Sequence, residues 1–145
     1  MNNKKKLAIA GIVAIIVLTM TFIIHTTSLP PETDIGVTKN INGMFITATD
    51  VQPMDNAKKV RVHFEVKNNT KQTVGIGAGN FHITVNKKDY QMTDGNNFGQ
   101  EIAKGEMLAG NGYYELPNKQ GEIMLIYTSP EGETLTWNLG EVDGK

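Results

Sequence analysis

Three histidines, His25, His63 and His82, offer this chain its most direct route to chemistry, because a neutral imidazole binds zinc and titrates near neutrality. No two of them have the local spacing of a zinc site, so solvated histidines are the expected reading. Oxygen ligands for calcium are on offer at Asp89, Asp94, Asn96 and Asn97. Yet the Asp-x-Asp-x-Asp-Gly loop is missing, and Asp94-Gly95-Asn96 is ordinary turn chemistry. Nucleophilic catalysis needs a Ser, Thr or Cys held near a base. The chain has no cysteine, and its serines are Ser28, in a stalk-like stretch, and Ser129, ahead of Pro130 in a turn. Glu131 and Glu133 make a close carboxylate pair, with nothing in the sequence around them to raise a pKa. The glycine-rich stretch 74–80 has neither Gly-x-Gly-x-x-Gly spacing nor a following Lys-Ser/Thr or helix, so it is not expected to cradle phosphate. Asn68-Asn69-Thr70 matches a glycosylation sequon formally and reads more simply as a turn. These residues set three expectations: no enzyme; no catalytic, cofactor-binding or metal residue; and no cofactor.

The elements that would have to position such groups are strands. In residues 60–67, Val60, Val62, Phe64 and Val66 alternate with Arg61, His63, Glu65 and Lys67, the period-two pattern of a strand with one buried face. A strand is predicted over 44–51, closed by Pro53, and an irregular or edge strand over 74–80. A hairpin is predicted from 81–85 through Asn86-Lys87-Lys88-Asp89 to 90–92, then a loop over 94–99. Residues 102–108 fit a strand edge or a short helical turn, and 111–116 precede Pro117. The apolar run 122–128 fits a strand buried on both sides or crossing the core centre. The last strand, 134–139, puts Leu135, Trp137 and Leu139 on one face, with Trp137 in the core. The expected fold class is all-β, an antiparallel sandwich of about seven strands.

Residues 7–24 form an 18-residue uncharged run, long enough as a helix to cover roughly 27 Å of a ~30 Å hydrocarbon core. Lys4, Lys5 and Lys6 precede it, and no Lys or Arg follows until Lys39, so the N-terminus is expected inside and the remainder outside. The expected organisation is a basic cytoplasmic tail (1–6), one transmembrane signal anchor (7–24), a stalk (25–38) and an extracytoplasmic domain (39–145). Cleavage of residues 7–24 as a secretory signal is the alternative, disfavoured by the length of the run and by the lack of an Ala-x-Ala-like site at its end. Of 14 Lys and Arg residues, three precede the run, leaving 11 against 15 acidic residues, a net charge of −4 beyond it. Such a balance gives no electrostatic basis for binding nucleic acid.

The strand ending Val66-Lys67-Asn68-Asn69-Thr70, the hairpin opened by Asn80-Phe81 and returning at Tyr90, Leu108-Ala109-Gly110-Asn111-Gly112 leading into Tyr114-Glu115-Leu116-Pro117, and Leu125-Ile126-Tyr127 together carry a resemblance. Over residues 39–142 the chain resembles the immunoglobulin-like domain-of-unknown-function family four-three-five-two. That resemblance implies an immunoglobulin-like sandwich and an exported protein, often a lipoprotein of Gram-positive bacteria, and implies no chemistry. The chain departs from the pattern in lacking the lipobox cysteine and in having Leu-Ala-Gly for the family's frequent Leu-Pro-Gly. The functional expectation is a membrane-tethered module that binds or helps assemble a protein or envelope partner. Glycine- and asparagine-rich loops at 74–80 and 94–99 are its candidate contact surface. A secreted binding domain, or a metal-dependent enzyme with a dispersed site, is the alternative.

Overall fold

The computed structural model describes residues 32–117 and 121–141. The expected transmembrane run 7–24 and residues 25–31 of the expected stalk, with His25 and Ser28, lie outside the described residues. Among the described residues no helix is long and apolar enough to cross a membrane.

Among the described residues, period-two alternation does what the sequence implied and builds ten strands and one short 3-10 turn. They are β1 (Thr38–Ile41), β2 (Met44–Met54), β3 (Lys59–Asn68), β4 (Val74–Ile76), β5 (Phe81–Val85), β6 (Lys88–Asn96), β7 (Gln100–Ile102), β8 (Met107–Glu115), β9 (Glu122–Thr128) and β10 (Thr134–Glu141). Eight strands follow the order β1-β2-β3-β8-β6-β5-β9-β10, and β4 pairs with β7 in a separate two-stranded ribbon. Every pairing is antiparallel.

One continuous hydrogen-bonded order forms two facing layers because β6 belongs to both. Its residues 88–91 pair with β5, whereas Met92 to Asn96 pair with β8 after a register shift between Met92 and Asp94. A strand that bends at a bulge and changes sheet is how a sandwich turns its corner. The inner faces then meet. Phe64 on β3 lies 4.7 Å, ring to ring, from Phe81 on β5, and Phe81 lies 5.1 Å from Tyr127 on β9. Val60, Val62, Phe64 and Val66 are all buried, as their alternation required, and Trp137 is fully buried.

The strand count exceeds the expected seven for identifiable reasons. β1 is an addition, although Asn42-Gly43, with φ of 49° and 90°, is the Asn-Gly hairpin turn that joins it to β2. Pro53 does not close β2; it pairs with Val60 inside the strand, where β2 has outrun β1 and so forms an edge that tolerates proline. β6 runs through Asp94-Gly95-Asn96, part of the expected 94–99 loop, and β8 begins at Met107. Gly110 and Gly112 lie within β8, where a Cβ at Gly110 would meet the Asn96 carbonyl oxygen at 2.6 Å and one at Gly112 would displace the end of the Met92 side chain, 2.5 Å away. The run in β9 is buried on one side only; Ile123, Leu125 and Tyr127 face the core while Met124 and Ile126 are half-buried on the outer face.

The last residues of the expected stalk are bonded onto the sandwich. Asp34 N–H donates to the Asn138 carbonyl (2.7 Å), and Asn138 N–H donates back to Asp34 Oδ2 (2.9 Å). Lys39 Nζ donates to Asp34 Oδ2 (3.0 Å) and to the Thr136 carbonyl, and lies 5.5 Å from the centre of the Trp137 ring. Trp137 Nε1 donates to the Val37 carbonyl (2.9 Å). This seam joins the two terminal strands of the order, β1 and β10, whose unpaired edges would otherwise invite other chains.

Candidate functional site

Asn68, expected as a surface turn residue, is fully buried and organises one end of the sandwich. Its Nδ2 donates to the carbonyls of Gln72 and Ile102, each at 2.8 Å, and its Oδ1 accepts from Thr70 N–H (2.9 Å). Its own N–H donates to the Glu106 carbonyl, and its carbonyl accepts from Gly105 N–H. A buried amide costs free energy unless its donors and acceptors are matched, and here both sides of the carboxamide are used. The result pins the β3–β4 loop, β7 and the turn into β8 to a single point. The formal sequon therefore has its acceptor nitrogen inside the fold.

Two further loops reach the same end. In the β9–β10 turn, Ser129 N–H donates to the Glu133 carbonyl, Gly132 N–H to the Ser129 carbonyl, and Glu133 N–H to Ser129 Oγ. That last bond assigns Ser129, which is buried, to turn closure. The β1–β2 turn is tied across to it by Asn42 Nδ2, which donates to Glu133 Oε2. Between the three loops lies a cleft of about 260 Å³. Ile41, Met44, Val74 and Tyr127 line its apolar part. Asn42, Lys71, Gln72 and Glu131 supply its polar rim.

Lys71 is exposed between two residues that bond to each other: Thr70 Oγ1 donates to the Gln72 carbonyl and accepts from Gln72 N–H. Among the described residues neither Lys71 nor Glu131 has an ion-pair partner. Burial pushes the Tyr127 phenol pKa up, and the nearby Glu131 carboxylate pushes it further, so the hydroxyl keeps its proton at neutral pH.

The residues that invited chemical readings are not assembled. His63 on β3 faces outward from one layer, where Nδ1 lies 2.8 Å from Asn111 Oδ1; His82 on β5 belongs to the other layer and lies 3.5 Å from Asp89 Oδ1. Of the candidate calcium oxygens, Asp94 Oδ1 accepts from Gly95 N–H, and Asn96 Oδ1 accepts from Asn111 N–H and Nδ2. Asn97 Nδ2 donates to the Ala109 carbonyl. Among the described residues no group of three or more His, Asp or Glu could hold a metal ion.

The two loops singled out for contact do converge. Gly99 N–H donates to the Ile76 carbonyl (2.8 Å), and a second, more open cleft of about 250 Å³ has Met92 and Phe98 in its wall with Ala78, Asp94 and Gly99 around it. Both clefts border the β4–β7 ribbon, Val74 lining one and Gly99 the other. The cleft among the three loops has no counterpart in the sequence reading. Its signals, Asn42-Gly43 and Ser129-Pro130-Glu131-Gly132, read as independent turns until the pairing of β1 with β2 and of β9 with β10 is known.

No family model matches the chain, and no curated protein does. Solved structures share its fold. YcdA of Bacillus subtilis, described as a lipoprotein, has a TM-score of 0.57 at 19% identity over 74% of this chain and 38% of that one. YjhA of the same organism has a TM-score of 0.58 at 13% identity, over 70% of this chain and 95% of that one. MPT63, a secreted protein of Mycobacterium tuberculosis, has a TM-score of 0.59 at 12% identity, over 77% and 99%. The chain thus spans well under half of YcdA. At these identities the likeness is one of fold.

Proposed function

We propose that the chain is an extracytoplasmic binding or assembly module, held at a membrane by residues 7–24, whose sandwich is of the immunoglobulin-like kind and turns over no substrate. The observation that carries this reading is the loop end: three loops, locked by hydrogen bonds, surround a cleft with an apolar wall and unpaired charges on its rim. Such a surface has what recognition needs, a rigid concave patch with a few placed polar groups. The charge asymmetry about residues 7–24 supports the orientation. That YcdA is described as a lipoprotein and MPT63 as secreted supports an extracytoplasmic setting.

The test places a photo-crosslinking residue in the full-length chain in intact cells, once at Gln72 on the cleft rim and once at Lys87, in the turn at the far end of β5. Capture of a partner from position 72 and not from 87 is the expected result. Equal capture from both, or none from 72, would remove the loop end as the contact surface. Protease added outside the cells should digest the domain and leave a membrane-bound stub, whereas a domain found free in the medium would replace the anchor with a cleaved signal.

A further inference from the structure

The loop-end cleft carries more chemical information than a general contact surface, and assigning it a ligand class rests on its being the binding site proposed above. Its volume of about 260 Å³ falls just below the roughly 300–1,000 Å³ of sites for drug-sized ligands, so a single small molecule fills it. The wall is apolar through Ile41, Met44 and Val74. Lys71 comes from the β3–β4 loop and Glu131 from the β9–β10 turn, so the two unpaired charges of opposite sign stand on different rims of one concavity. They do not neutralise each other, since no ion pair joins them within 4.0 Å.

We propose that this cleft binds a free amino acid with an apolar side chain. The ligand's ammonium meets Glu131, its carboxylate meets Lys71, and its side chain lies against Ile41, Met44 and Val74. Tyr127 lines the same cleft, and in this proposal its hydroxyl oxygen accepts from the ammonium. Both ligand charges are then matched by charge-assisted hydrogen bonds, and the apolar part leaves water. An ordinary polypeptide segment is a poorer fit, because its interior residues carry neither terminal charge. The Thr70–Gln72 bonds and the Ser129–Glu133 bonds set the backbone of both rims before the ligand arrives, so the ordering left to binding is that of the Lys71 and Glu131 side chains.

The experiment uses the full chain in detergent micelles, isotope-labelled, and titrates L-leucine while following backbone amide NMR signals. Signals of Asn42, Lys71, Gln72, Val74 and Glu131 should move together, saturating with a Kd of about 1 mM or tighter. N-acetylleucine lacks the ammonium and leucinamide lacks the carboxylate; each should bind about tenfold or more weakly. Glu131→Gln should weaken L-leucine about tenfold and bind leucine and N-acetylleucine nearly equally, and Lys71→Met should do the same for leucine and leucinamide. Both side chains are exposed, so neither change threatens the fold. Absence of any shift at about 10 mM L-leucine, or shifts indifferent to the loss of either charge, overturns the amino-acid proposal. Position-specific crosslinking from Gln72 would still stand in that case, which separates a wrong ligand class from a wrong binding surface.

Discussion

The two ends of the sandwich are built by different means. At the hairpin end, left-handed backbone conformation shapes the β2–β3 and β5–β6 turns. Asp55, Asn56 and Ala57 run through φ of 51°, 55° and 59°, and Asn86 and Lys87 take 52° and 65°, the left-handed values that close tight hairpins without splaying the strands. At the loop end, side chains reach across the sequence. Asn68 bonds the carbonyl of Ile102, 34 residues away, and Asn42 bonds Glu133, 91 residues away. The first strategy makes compact connectors. The second keeps loops apart at fixed positions, and the space they enclose is the cleft.

Four measurements break or sharpen that contrast. The largest effect is expected from Phe64→Ala. The ring is buried against Phe81 and also makes an edge contact with Phe98, so emptying the site should cost roughly 3 to 5 kcal/mol in urea unfolding. Arg61→Ala on the opposite face of β3 should cost far less, and similar losses at both positions would contradict the face assignment.

Asn68→Ala comes next. It leaves the buried Ile102 carbonyl and Thr70 N–H without their partners, a loss of about 2 to 3 kcal/mol, and hydrogen exchange should accelerate first at Thr70 and Gly105. Uniform acceleration across all strands would show that the loop end is not a local unit. At the other end Ala57→Gly should stabilise by about 1 kcal/mol, because the left-handed conformation that strains alanine suits glycine. A destabilised variant would mean that the methyl packs usefully in the turn.

The smallest expected effect is on the seam. Bonding to Asn138 first, and then to Lys39, holds the Asp34 carboxyl below its ordinary 3.8. A depressed carboxylate stabilises the fold fully above its unfolded value and loses that contribution as pH falls through its folded one. The difference in urea midpoint between the parent chain and Asp34→Asn should therefore be constant above about pH 5 and shrink on acidification below pH 3.8. A difference independent of pH would assign the effect to geometry rather than charge.

This contrast also explains what the sequence disclosed. β3 was legible because Val60, Val62, Phe64 and Val66 report one buried face without help from elsewhere. The 81–85 strand was legible for the same local reason, whereas its turn is Asn86-Lys87 alone, because Lys88 and Asp89, expected in the turn, pair with Val85 and Thr84. Asn68 was not, since the letters Asn-Asn-Thr describe a turn equally well whether the first asparagine is solvated or bonded to a carbonyl on β7. The cleft was hidden because Lys71 and Tyr127 carry no signal alone and Glu131 read only as half of a carboxylate pair with Glu133. Only pairing brings them together.

The seam also bears on the order of folding. Its bonds join residues 97, 100 and 104 positions apart, a far longer closure than that of either hairpin end. Loop-closure entropy must be met before such contacts return anything, so strands paired by tight turns are expected to form early and the seam late. Until Asp34 engages Asn138, β1 and β10 each present an open edge to neighbouring chains. Refolding yield should accordingly fall as protein concentration rises, with the few residues ahead of β1 setting how long that exposure lasts.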